Sequence, residues 1–348
     1  MLTLPLPLVF LANAALGKSW AHTAAEASTG FFGGAFALLG ALDLLGVPVL
    51  PNLFVFPPTG ASRIGMDVTI VATGFVGAAI AALPVRRRLA RVIPIEPDNP
   101  VHALALTLAV VLFGGSLSLL LFTDLLGAAV SQPAEAISDI FVGELPFLLL
   151  ALAGVGLFMR RNFGEAAARV GLVRPAWWHP ILALAAAGAF FAVGQAMIGL
   201  SYWLTPSLAH RVDAASQHIF GNLAADPVGL VLLAVIPGFC EEILFRGALQ
   251  PRLGLVGTAV LFASIHTEYG LSVVILAVFV LALGLGLLRK YTNTTTSMTC
   301  HIANNLLAGI SLGGVVMYAA IAGEIVLAAV AGYAIWSERR RRAAVVGS

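Results

Sequence analysis

The chain has 348 residues, 59% of them hydrophobic and 10% charged, with a net charge of +2 and a mean hydropathy of +0.97. Soluble domains carry roughly 25% charged residues and about 45–50% apolar ones, so this chain has too few charges to cover a surface in water. A soluble globular enzyme, a disordered chain and a secreted disulfide scaffold are excluded, the last because Cys240 and Cys300 are the only cysteines.

A bilayer-crossing helix needs about 20 apolar residues. Apolar stretches fall near 2–17, 31–50, 68–85, 101–122, 140–159, 179–200, 227–245, 254–268, 271–288, 298–318 and 321–336. Strand-period alternation is absent, which argues against a β-barrel. The predicted fold is all-α: a polytopic membrane helix bundle of about 10–11 transmembrane helices. Residues 2–17 read as a first span despite Pro5 and Pro7, and the lack of a preceding basic residue makes them a poor signal peptide. Trp177 and Trp178 open a later span, where indoles favour the headgroup region.

Between the spans, basic residues cluster at Arg86–Arg91, Arg160–Arg174, Arg246 with Arg252, Arg289 with Lys290, and Arg339–Arg342. Lys and Arg are retained on the cytoplasmic side. An even number of crossings separates each cluster from the next, so all of them fall on one side. The opposite loops, 123–139 and 201–226, contain only Arg211 between them. No basic face interleaved with aromatics points to nucleic acid.

Ionisable groups inside a span cost at least ~2.5–3.5 kcal/mol at its centre, so they have a task or a partner. Asp43, Glu144 and Glu324 read as isolated acids held within the bundle. Residues 237–305 differ, because polar groups accumulate there in three successive apolar helices. In Glu241-Glu242-Ile243-Leu244-Phe245-Arg246, Glu242 and Arg246 have the spacing and order of a helical ion pair. Glu241, about 100° further around the helix, is left free to face elsewhere. Phe262 and His266 share a face in the next segment, and His301 and Asn305 in the third. Each motif alone also fits ordinary bundle packing and interhelical hydrogen bonding. Together they supply an acid, two histidines and an amide, the parts of a hydrolytic site. A buried carboxylate makes a more effective base near neutral pH. Water held between Glu241 and His266 could attack an amide carbonyl, with His301 and Asn305 donating to the developing oxyanion.

The ordered set Glu-Glu-x-x-x-Arg, Phe-x-x-x-His and His-x-x-x-Asn, met here by Glu241, Glu242, Arg246, Phe262, His266, His301 and Asn305, resembles the CPBP family of intramembrane proteases. That family includes the CaaX prenyl endopeptidases and bacteriocin-processing and immunity proteins. The resemblance covers about 225–320. It implies a glutamate-dependent, metal-independent endopeptidase whose site opens to the cytoplasm. Glu241 and His266 would activate water, His301 and Asn305 would form the oxyanion site, and Glu242 with Arg246 would be the supporting pair, beside Phe262.

The expected organisation is therefore N-terminal helices of unassigned role over 1–175, a catalytic core over 176–336 and a basic cytoplasmic tail over 337–348. The setting is a prokaryotic plasma membrane, and the partners are the lipid bilayer and a membrane-associated protein or peptide substrate. No cofactor is expected; zinc held by Glu241, His266 and His301 is the alternative, although no His-Glu-x-x-His occurs. A scaffold, an immunity protein or a transporter are the non-enzymatic alternatives. One geometric requirement follows. A straight helix over 254–268 would lift His266 about 18 Å from its base, so Glu241 and His266 meet only if the chain between them dips or breaks. A wet cavity is expected there.

Overall fold

The computed structural model describes residues 5–47, 49, 59–310 and 314–346. Residues 2–4, 48, 50 and 311–313 of the apolar stretches, and 347–348 of the tail, lie outside this set. Among the described residues the protein is helical throughout, with no strand beyond one isolated bridge between Leu157 and Arg161. Seven helices are long and apolar enough to cross a membrane: Ser19–Leu44, Pro100–Phe122, Ile137–Gly154, His179–Leu204, Pro227–Ile265, Val273–Tyr291 and Ala320–Glu338. A further pair, Gly60–Ala79 with Leu83–Leu89, is bent by 94° and makes up to eight if it counts as one span. Large apolar side chains such as Phe31, Phe75, Val142 and Ile325 are more than half exposed on these helices. A lipid environment accepts that surface and water does not. The protein is a multi-pass membrane bundle.

This number of membrane-length helices is smaller than the number of apolar stretches for three physical reasons, one being that the stretch at 298–318 is described as helix α14 (Thr294–Gly309) of only 16 residues. The first stretch forms only α1 (Leu6–Ala14), and nine residues at 1.5 Å each cover less than half of a 30 Å hydrocarbon core. The stretches at 227–245 and 254–268 join into one helical run. It comprises α11 (Pro227–Glu241), a π-helical segment (Glu242–Leu249) and α12 (Gln250–Ile265).

The remaining elements are α2 (Ser19–Leu44), α3 (Gly60–Ala79), α4 (Leu83–Leu89), α5 (Pro100–Phe122), α6 (Leu125–Ser131), α7 (Ile137–Gly154), α8 (Phe163–Val170), α9 (His179–Leu204), α10 (Pro206–Ala225), α13 (Val273–Tyr291), α14 (Thr294–Gly309) and α15 (Gly314–Val346). Caps set several boundaries. Asn99 accepts from the first amides of α5, Asp226 caps α11, Asn293 caps α14, and Asn162 with Glu165 forms a reciprocal box at α8. The largest core cluster unites α7 and α8 with α11, α12 and α13 through Phe147, Ala151, Val170, Ile236, Phe245, Phe262 and Ala282. Helices α7 and α8 precede residue 176, yet they pack directly against the motif-bearing run.

Contacts sort the loops into two ends. Asn13 accepts from Arg160, Arg86 pairs with Glu26, His22 meets the Asp98 carbonyl, Arg252 pairs with Glu96, and Thr294 bonds to Val170 and Gly171. These interactions gather the basic segments 86–91, 160–174, 252 and 289–290 at one end. At the other end Arg211 pairs with Asp124, His218 meets the Gln132 carbonyl, and the Glu135 amide bonds to Ile219. The loops 123–139 and 201–226 thus lie together, away from the basic clusters.

Candidate active site

Pro237 removes one amide from the ladder of α11, and Gly238 follows, facing Ile302 of α14. A Cβ at Gly238 would stand 2.6 Å from Ile302 Cγ1, so only glycine lets the two helices come this near. The π-helical segment Glu242–Leu249 begins four residues later. Such segments are rare and occur disproportionately at functional sites. Beyond it, Gly254 breaks the run with φ 74° and ψ 176°, a conformation other residues adopt only with strain. The run between Glu241 and His266 is therefore not a straight α-helix: it carries a π-segment and a glycine kink.

These departures bring six of the seven motif residues into one mutually connected cluster. Glu242 and Arg246 form a buried ion pair, Nη1 to Oε1 at 3.2 Å, with side chains 0% and 1% exposed. The Arg246 guanidinium lies 4.2 Å over the Phe262 ring, a cation–π arrangement. Phe262 is the hub. Its ring stands 5.1 Å from Phe245, 4.6 Å from His266 and 5.9 Å from His301, between centroids. His266 ends α12, with Nδ1 2.9 Å from the Phe262 carbonyl. Since a carbonyl only accepts, Nδ1 carries the proton and Nε2 is the free basic atom of the neutral ring.

His301, buried on α14, lies between both acids. Its Nδ1 is 3.2 Å from Glu242 Oε1 and its Nε2 is 3.8 Å from Glu241 Oε2. The two carboxylates thus have different neighbours, with Arg246 on Glu242 as the spacing suggested. Glu242 Oε1 is held by Arg246 and His301, while the Oε2 atoms of both acids are enclosed with no hydrogen-bond partner. Asn305 sits one turn beyond His301 on α14, half-buried.

Cys240 packs in the main core cluster and Cys300 in a second one with Ala183, Ala187 and Leu285. Both are free and buried, the behaviour of small apolar residues. Among the described residues, no three His, Cys, Asp or Glu side chains are placed to hold a metal ion. A cavity of about 430 Å³ lies elsewhere, between α3 and α5, lined by Val68, Ala72, Val76, Val110 and Phe113.

The structure also brings acids to the cluster that the motifs do not contain. Glu144 on α7 lies within electrostatic reach of Glu241 and of Glu268, which follows His266 in the turn Thr267–Tyr269. Its signal in the sequence is the run Ile140, Glu144, Phe147, Ala151, a helical stripe whose apolar members are all buried.

Comparison with known proteins reaches the same segment. Residues 223–307 match the family described as Type II CAAX prenyl endopeptidase Rce1-like. The match spans about a quarter of the chain and contains every motif residue from Glu241 to Asn305. An uncharacterized protein of Bacillus subtilis (strain 168), YpbD, is 39% identical over 99 residues, which are 28% of this chain and 51% of that protein. The chain thus spans about half the length of this curated relative. No solved structure matches the chain. The resemblance drawn from the three motifs is shown over the Rce1-like segment, and the helices before it gain no assignment from the match.

Proposed function

We propose that the protein is an intramembrane endopeptidase that hydrolyses a peptide bond of a membrane-associated protein or peptide. The observation that carries this reading is Glu241: a carboxyl enclosed by protein, lacking a hydrogen-bond partner on Oε2, and set 3.8 Å from His301 Nε2 within the Rce1-like segment. Buried polar atoms are almost always satisfied, so an open acceptor beside His301 suits a reacting water.

In the proposed reaction Glu241, assisted by Nε2 of His266, takes a proton from water as its oxygen attacks the scissile carbonyl carbon. The carbonyl oxygen becomes an oxyanion. The C–N bond then breaks, and the proton held by Glu241 passes to the departing amine, so that acid and amine leave and the enzyme is restored. His301 and Asn305 are the proposed oxyanion donors. Glu242 and Arg246 hold His301 and Phe262 in register. No metal takes part in this scheme.

We further infer a plasma-membrane setting with the basic end in the cytoplasm, following the retention of Lys and Arg on that side. His301 is seven residues along α14 from Thr294 at that end, a depth of about 10 Å. The site and the C-terminus would then face the cytoplasm.

The test compares new peptide termini in membranes of cells making the wild type or Glu241→Gln at matched expression, with insertion verified for both. Termini present with the wild type and missing with the variant are the expected result. Identical termini, with both proteins inserted, would overturn the proposal in favour of a scaffold.

A further inference from the structure

The segment 157–178, between α7 and α9, carries chemistry that the motifs do not use. It opens with a turn in which Phe158 adopts a left-handed backbone, φ 60°, a costly conformation for a bulky residue. Phe158, Phe163 and Trp177 of this segment are all more than half exposed. Residues 170–173 are strapped to the start of α14, where Thr294 bonds to the carbonyls of Val170 and Gly171 and Thr295 to that of Val173. Tyr291, which ends α13 three residues before Thr294, is also more than half exposed. Exposed Trp and Tyr at the ends of membrane helices mark the headgroup level of a bilayer.

Two guanidiniums border this strap and lack an acid. Arg289, in the last turn of α13, lies against Gly171: a Cβ there would stand 3.1 Å from its Nε and 3.2 Å from its Cζ. Among the described residues Arg289 makes no hydrogen bond or ion pair, and its Nε is enclosed. Arg169, two residues before Gly171, has one long contact, Nη1 to the Gly247 carbonyl at 3.4 Å. Burial, then Arg252, Arg161 and Arg289, hold its guanidinium below the ordinary arginine range, with Glu96 opposing them. The acids at this end are occupied elsewhere. Glu96 pairs with Arg252 and accepts from Asn99, and Glu165, although four residues before Arg169, accepts from the Asn162 amide. Arg86, in the neighbouring basic run, has by contrast Glu26 and three backbone carbonyls. An enclosed donor without an acceptor costs stability, and two guanidiniums bordering one turn repel, so the missing partner is an anion. A guanidinium matches phosphate oxygens in pairs.

We infer that Arg169 and Arg289 bind the phosphate of an anionic phospholipid at the turn Val170–Gly171. The level of the aromatic side chains decides the source of that phosphate. An anion held beside Trp177 and Tyr291 arrives on a lipid, whose apolar part covers exposed rings that free phosphate would leave in water. The site joins α8 to α13 and, through Gly247, to the π-segment that carries Glu242 and Arg246. It stands whether or not the chain is a protease.

The test uses the full-length protein in neutral detergent and follows thermal unfolding as phosphatidylglycerol, phosphatidylcholine or inorganic phosphate is titrated in. Phosphatidylglycerol is expected to stabilise saturably, with its half-effect at a concentration roughly fivefold below that of phosphatidylcholine, as an arginine near a membrane surface provides. Inorganic phosphate should leave the transition where it was. Arg289→Gln and Arg169→Gln should each bring the two lipids to within about twofold of one another. Arg87→Gln, an exposed change in another basic run, should keep the full preference. Equal action of the two lipids on the wild type would overturn the site without any variant having to fold. So would a preference that survives both Arg289→Gln and Arg169→Gln, or one that falls as far in Arg87→Gln, since the general positive charge of this end would then account for it. Inorganic phosphate acting as strongly as phosphatidylglycerol would overturn the lipid as the source of the anion.

Discussion

Replacing Arg246 by Met, a side chain of similar reach without charge, leaves the Glu242 carboxylate alone in a pocket where it is fully enclosed. At 3.2 Å and an effective dielectric of about 20, the direct attraction lost is about 5 kcal/mol. The stacking of the guanidinium over Phe262 adds about 0.5–2 kcal/mol to what is removed, while Glu242 recovers part of the loss through His301. Breaking one half of a buried pair typically costs about 3–5 kcal/mol, and that is the expected destabilisation. It corresponds to a folded-to-unfolded ratio reduced by roughly two to three and a half orders of magnitude. Glu242→Gln is expected to fall in the same range, because it strands the guanidinium instead. The double variant removes both charges and should recover most of the loss, since a buried pair replaced by neutral groups is often energetically neutral. Unfolding of the full-length protein in mixed micelles, titrated with a denaturing detergent and followed by the fluorescence of its five tryptophans, provides the three free energies and their coupling. If each single variant lay within about 1 kcal/mol of the wild type and the coupling vanished, the reading of the pair as the electrostatic anchor of the site would be refuted.

Four further outcomes follow from the same geometry. Gly238→Ala places a methyl 2.6 Å from Ile302 Cγ1 and should destabilise by about 1–3 kcal/mol through overpacking, read in the same unfolding assay, with a loss of Glu241-dependent cleavage as α11 and α14 separate. The double variant Cys240→Ser, Cys300→Ser should retain that cleavage, and thiol alkylation should leave it unchanged; inhibition would assign a nucleophilic cysteine. Strong chelators should leave the Glu241-dependent termini intact, whereas their loss and restoration by zinc would favour the metal alternative. Glu96 is exposed, and the amide of Asn99, then His102 and Arg252, hold its carboxyl below the usual glutamate range. Its small contribution is therefore present above that range and is lost as the pH falls through the lowered value. Glu96→Gln should flatten the acid side of the stability profile and change neutral stability little, as expected for an exposed pair.

Hydropathy and charge made the bundle legible, because a chain with 10% charged residues has few ways to bury its backbone apart from membrane helices. The sorting of basic loops to one end was equally accessible, and the Arg252–Glu96 and Arg160–Asn13 contacts agree with it. The i, i+4 spacing from Glu242 to Arg246 announced the ion pair, and the glycines and Pro237 announced that the run would not be straight. Span counting was less successful. Residues 2–17 are apolar, yet only nine of the described ones are helical, and apolarity alone does not say how much of a segment will lie along the membrane normal. The π-segment was not legible either, since it arises from how α11, α12 and α14 pack and not from any local propensity in Glu242–Leu249.

Glu144 shows why single acids are hard to read. In the sequence it stands among exposed apolar neighbours, Phe141, Val142 and Leu145, and it looks like a residue the bundle merely tolerates. Its helical stripe with Ile140, Phe147 and Ala151 directs it inward, but only the packing of α7 against α11 and the π-segment decides which inward-facing groups it meets. Those groups turn out to include Glu241. Two carboxyl groups within electrostatic reach in a low-dielectric interior cannot remain indifferent to each other, so α7 participates in the energetics of the site whatever the substrate proves to be. The three motifs therefore delimit the chemistry, while the environment in which that chemistry operates includes a helix that carries none of them.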